Sequence, residues 1–210
     1  MTALPTLYSE SVPAAEKLRR RAIDLEYLTV AWNSAEAVIA LVAGWLAGSI
    51  ALVGFGFDSV IETTAGVVLL WRLRQRGDLE SQAESRALRI VGGTFFALAA
   101  YVSFESVRDL RLHQAPEEST VGIVLAAVSL VVMPMLARAK QRVAQAMGSH
   151  ALAAEAMETW VCAYLSFALL LGLTLNAWRG WWWADPVAAL AMVPLMLHEG
   201  WESVRGRHAD

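Results

Sequence analysis

Apolar residues run through this chain in six long blocks, not in the short alternating or one-face patterns of a soluble domain. The blocks cover roughly residues 25–46, 50–71, 88–107, 120–137, 150–173 and 181–200. Each is close to the ~20 apolar residues that a helix rising about 1.5 Å per residue needs to cross about 30 Å of hydrocarbon. The breaks between them are polar. Gly48-Ser49 separates the first two blocks, and residues 72–87 read RLRQRGDLESQAESRA. Residues 108–119 hold Pro116, Glu117 and Glu118, and residues 138–149 are basic and end in Gly148 and Ser149. Residues 174–183 hold Asn176, Arg179, Gly180 and a run of three tryptophans. The pattern predicts an all-α integral membrane bundle of six transmembrane helices.

Charge orients it. With the N-terminus inside, 14 of the 17 Lys and Arg residues fall on inner segments, Lys140 among them. Only Arg108, Arg111 and Arg179 fall outside. Cytoplasmic segments carry such an excess, so both termini are expected in the cytoplasm. Trp181, Trp182 and Trp183 then lie at the outer interface, where amphipathic rings settle. Residues 1–20 are expected as a cytoplasmic tail, 21–203 as the transmembrane domain and 204–210 as a second short tail. The default location is a bacterial inner membrane.

Composition agrees. The chain is 57% hydrophobic and 18% charged, with a mean hydropathy of +0.45, against roughly 45–50% and 25% in soluble domains. A net charge of −3 offers no basic excess for nucleic acid. Cys162 is the single cysteine, so no internal disulfide forms. No nucleophile–base pair, phosphate loop or zincin motif is visible, and the chain does not read as an enzyme.

Ionisable groups at membrane depth are costly and usually mark a pathway. The first block carries Asn33 and Glu36, the second Asp58 and Glu62, the third Glu105. The fifth carries Glu155, Glu158 and Cys162, and the sixth Asp185, His198 and Glu199. Asp58 and Glu62 are four apart, and Glu155, Glu158 and Cys162 follow at i, i+3 and i+7, so each set shares a helix face. Asp58 and Glu62 lie about 12 and 18 Å from the outer end of their helix, and Glu155 and Glu158 about 8 and 12 Å from the inner end of theirs. Four carboxylates meeting near the midplane need protons or a cation, and a divalent metal suits oxygen donors. Glu105, Asp185, His198 and Glu199 sit near helix ends and read as structural. Asp185-Pro186 looks like a helix start. Cys162 reads as a small core residue or an added ligand, and His150 as an inner-end ligand or an interfacial group.

These residues resemble the cation diffusion facilitator family. The stretch WNSAEAVIALVAGWLAGSIALVGFGFDSVIETTAG at 32–66 is similar to that family's first hairpin. It has an early Asn33, a GSIAL turn at 48–52 and the acidic pair Asp58 and Glu62. SHALAAEAMETWVCAYLS at 149–166 is similar to the second metal-binding helix, and WWADPVAAL at 182–190 to the Ala-Asp-Pro opening of the last one. The resemblance covers roughly residues 18–203. It implies six helices with cytoplasmic termini, and proton-coupled export of divalent cations such as Zn²⁺ or Mn²⁺ from the cytoplasm. It implies Asp58, Glu62 and Glu155 as metal ligands, with Glu158 standing in from the other side. The metal is then substrate, with no prosthetic group.

Three departures shape the expectation. Ala151 stands where zinc-type members place a histidine, with His150 one residue off the face. The second helix pairs Asp with Glu, not Asp with Asp. The family's cytoplasmic C-terminal domain has no counterpart in the residues after Glu199, a layout similar to the transmembrane protein 163 branch. Glu36 also resembles that branch and is a further ligand or proton-relay candidate, with Asn33, His150 and Cys162. Expected partners are the lipid bilayer, the metal ion, protons and a second copy through the membrane helices. The competing reading is a non-transporting subunit that binds metal or a partner, with Gly92-Gly93 serving helix–helix contact.

Overall fold

A computed structural model describes residues 6–74, 81–114 and 116–205, with side chains placed from residue 16 onward and, after the gap, from residue 93. The described residues form six α-helices: α1 Thr6–Ala47, α2 Ile50–Arg74, α3 Ser81–Leu112, α4 Thr120–Met147, α5 His150–Arg179 and α6 Ala184–Arg205. Four of them, α1, α2, α4 and α5, are long and apolar enough to cross a membrane. The described parts of α3 and α6 carry Glu105, Arg108, Asp109 and Arg111, and Asp185, His198, Glu199 and Glu202, which shortens their apolar runs. α1 begins at Thr6, inside the stretch expected as a tail. Residues 1–5, 75–80 within the linker expected at 72–87, 115 and 206–210 lie outside the description.

The breaks fall where backbone chemistry puts them. Gly48 and Gly148 adopt φ of +66° and +63°, the left-handed geometry that ends a helix and favours glycine. Ser149 follows Gly148 and accepts from Leu152 N at 3.3 Å, capping α5. Ser49 caps α2 the same way, accepting from Leu52 N at 3.1 Å. Its hydroxyl donates to Asp185 at the start of α6 at 2.5 Å, and Ala51 N reaches the other Asp185 oxygen at 3.3 Å. Asp185 therefore caps α2 across the bundle.

One sequence expectation needs correction. The basic stretch 138–149 is not a loop as far as Met147; it forms the last turns of α4, which stop at Gly148. Ser129, Met133, Leu136 and Lys140 recur at helical spacing and are all buried. Lys140 thus belongs to the bundle interior and not to the inner rim. The charge asymmetry among the remaining residues survives its removal.

α1, α2, α5 and α4 pack in a ring, each touching the next, while α3 and α6 pair with one another and lean on α2 and α5. Small residues set the closest approaches. A Cβ on Gly44 would stand 2.8 Å from Val53 N, and one on Gly172 would stand 2.7 Å from the Ala188 Cβ. This is the device that lets membrane helices meet closely. A Cβ on Gly93 would meet nothing within the chain. At one end, Glu117 N donates to Ala47 O at 2.7 Å and Asn176 Nδ2 donates to Pro116 O at 3.0 Å, tying three interhelical connections together. At the other, Arg19 donates to Leu73 O at 3.1 Å.

The solvent logic is inverted. Val38, Val42, Trp45, Leu46, Phe104, Val131, Met135 and Phe167 are exposed, while Glu26, Asn33, Glu36, Asp58, Glu62, Lys140 and Glu155 are buried. Water would not tolerate that arrangement; lipid would.

Candidate functional site

The inward face of α2 presents Asp58 and Glu62, each 7% exposed, and α5 presents Cys162 opposite them. One donor atom from each of the three lies within 4.8 Å of the others. Donors bonded to one Zn²⁺ at roughly 2.0–2.3 Å in tetrahedral geometry stand about 3.3–3.8 Å apart. Side-chain movements of about an ångström would close this cluster on a single ion. It sits about 12–18 Å along α2 from Ile50, near mid-bilayer.

The surroundings are short of hydrogen bonds. Among the described residues, neither Glu62 oxygen and neither polar atom of the Asn33 amide has a partner, although all are buried. The Asn33 amide on α1 and the Cys162 thiol on α5 are nonetheless hydrogen-bonding neighbours of Glu62, at geometry looser than a well-formed bond. Buried polar groups are normally satisfied, and the acceptors among these, the two Glu62 oxygens and Asn33 Oδ1, suit a site that takes a cation. Glu36, by contrast, is held. It accepts from Ser59 Oγ at 3.0 Å and from Ser129 Oγ, with Cys162 Sγ 4.0 Å away. Glu158 is half-buried beside the cluster and interacts with Glu155, Glu199 and Glu62. Glu199, buried on α6, faces Asp58 and Glu62.

Below this centre is a second polar group. The Lys140 ammonium, 0% exposed, lies 3.0 Å from a Glu26 oxygen and 3.3 Å from Glu155 Oε2, with Thr159 Oγ1 at 3.5 Å. The triad ties α1, α4 and α5. The expected four-carboxylate set is therefore divided. Asp58 and Glu62 meet Cys162, Glu158 stands alongside, and Glu155 pairs with Lys140. Glu26 and Lys140 are not among the residues the sequence pattern singles out, yet both carry a signal: Glu26 is seven residues before Asn33 on the face of Asn33 and Glu36, and Lys140 continues the face of Ser129.

The remaining candidates are peripheral. His150 is the exposed first residue of α5, about 18 Å along the helix from Cys162. Glu105 pairs with Arg108 at 2.7 Å, and the exposed His198 lies 3.8 Å from Glu202.

A helical bundle with an apolar exterior and a buried carboxylate–thiol centre at mid-depth is a polytopic integral membrane protein of the ion-handling kind. The sequence profile described as the cation efflux transmembrane domain matches residues 27–206, and the chain belongs to that family. Transmembrane protein 163 of Xenopus laevis is 23% identical over 158 residues, covering 75% of this chain and 56% of that protein. An uncharacterized transporter of Synechocystis is 24% identical over 176 residues, covering 79% and 57%. The cation-efflux pump FieF of Shewanella oneidensis is 26% identical over 165 residues, covering 72% and 54%. The chain thus spans a little over half the length of these relatives.

Proposed function

We propose that this chain exports divalent metal cations from the cytoplasm in exchange for protons, with Asp58, Glu62 and Cys162 holding the ion. The observation that carries this reading is the convergence of those three buried donors within 4.8 Å, about 12–18 Å along α2 from Ile50. The metal reaches the centre from the inner side between α2 and α5, which pack against one another. Rocking of the bundle then opens the centre outward, where protons on the carboxylates displace the ion. Alternating access around a midplane site is the general scheme for secondary transporters. The N-terminus is placed inside on the charge asymmetry. Glu158, Glu199 and Glu36 surround the centre with negative charge and accept protons when the metal leaves.

The test is metal flux into proteoliposomes under an imposed pH gradient, with Zn²⁺, Mn²⁺, Co²⁺, Fe²⁺, Ni²⁺ and Cd²⁺ offered in turn. Uptake that follows the gradient and collapses with an ionophore is the expected result. Absence of flux for every metal, from folded and inserted protein, would sink the proposal.

The donor set predicts selectivity. A thiol among two carboxylates favours borderline and soft ions over hard ones. Cys162→Ser should lower affinity for Cd²⁺ at least about tenfold while changing Mn²⁺ affinity little, since sulfur selects the softer metal. Equal loss for both metals would show that the thiol is not a ligand.

A further inference from the structure

We propose that Glu26, Glu155 and Thr159 form a second cation site beneath the Asp58–Glu62–Cys162 centre, and that the Lys140 ammonium fills it in the native chain. Two carboxylates from different helices and one hydroxyl converge on a single point, at 3.0, 3.3 and 3.5 Å from Nζ. All three groups are buried, and the ammonium is wholly enclosed. The donors are oxygens only, the set that hard divalent ions take. A bound Mn²⁺ or Ca²⁺ draws its oxygens in to about 2.0–2.6 Å, so each donor here stands roughly 1 Å outside a coordination sphere already centred on a cation. Lys140 reaches that centre from α4, which contributes none of the three oxygens.

The consequence is a limit on cargo. Lys140 keeps Glu155 out of the upper centre, and it keeps a second ion from resting below it. The chain then carries one metal ion at a time, held by a donor set that includes sulfur. Methionine at 140 would keep most of the apolar stem but end one atom short of the ammonium, leaving the oxygens around an uncharged gap.

The one-ion count in the native chain rests on the function proposed above; the lower site does not, and the experiment separates the two. Purified protein in detergent is titrated with Mn²⁺, and bound ion is counted by electron paramagnetic resonance. Native chain should bind one ion, Lys140→Met two, and Lys140→Met with Glu155→Gln one. Asp58→Ala should bind none and Asp58→Ala with Lys140→Met one, which reports the lower site alone. Equal stoichiometry in the native chain and Lys140→Met, or two ions in the native chain, overturns the inference. No ion in the native chain with one in Lys140→Met upholds the lower site and counts against the upper. Thermal melting keeps the test open should Lys140→Met fold weakly. Mn²⁺ should raise its melting temperature by several degrees more than it raises that of native chain or of the variant also carrying Glu155→Gln. No such difference overturns the inference as well.

Discussion

Asp58→Ala should abolish gradient-driven metal flux and lower metal affinity by a hundredfold or more, while the metal-free bundle melts no lower than the native one. The two halves of this expectation come from the same geometry. Asp58 supplies one of three converging donors. Even outer partners of a metal site are worth about 10–100-fold in affinity, so loss of a direct ligand sits at or beyond the upper end. The metal-free state answers to a different balance. Asp58 is buried, and the charged groups acting on it among the described residues are Glu62, Glu199 and Glu36, all of its own charge type. Removing it relieves repulsion and desolvation, and the small cavity left beside Cys162 offsets part of that gain. Function and stability should therefore move independently. The check pairs isothermal titration with Zn²⁺ against thermal melting of the same metal-free samples. Native affinity in the variant would remove Asp58 from the site. A collapse in melting with affinity lost only in proportion would make it a structural residue.

Much of this molecule can be read from residue pattern, because in a membrane the pattern and the environment are nearly the same information. Six apolar blocks become six helices, and Gly48, Gly148 and Gly180 end helices where the breaks are read. The face shared by Asp58 and Glu62 follows from their spacing and is the face that is buried. What escaped the sequence was pairing across helices. A basic residue near the end of an apolar block looks like the start of an inner loop, and Lys140 reads that way from sequence. Only the position of Glu26 and Glu155 opposite it shows why α4 carries a buried ammonium. Cys162 was likewise ambiguous, since a small buried thiol and a ligand look the same in a sequence. Its place opposite the α2 acids, within 4.8 Å of both, is what supports the ligand reading proposed above. Asp185 stands at the start of its helix, as its pairing with Pro186 suggests, and what the pattern does not show is that it also caps α2 through Ser49 and Ala51.

Lys140→Ala should be the most destabilising single substitution in the bundle, at about 3–5 kcal/mol, the range found when one partner of a buried ion pair is removed. Three features push it to that end. The ammonium is fully enclosed, it is shared by two carboxylates, and it joins α1, α4 and α5 at one point. Alanine leaves Glu26 and Glu155 facing each other without a counter-ion and adds a cavity the length of the lysine stem. Charge alone is responsible for most of the loss, so Glu26→Gln, Lys140→Met and Glu155→Gln together should recover most of it, since a neutral set of similar volume often matches a buried ion pair. Glu155→Gln alone should fall between, because Glu26 still balances the ammonium at 3.0 Å. Such non-additivity is what contacting residues show in a mutant cycle. Melting of the native chain and these variants in one detergent, without metal, decides it. Additive losses across the three would mean that packing, and not the ion pair, holds the inner half of the bundle together.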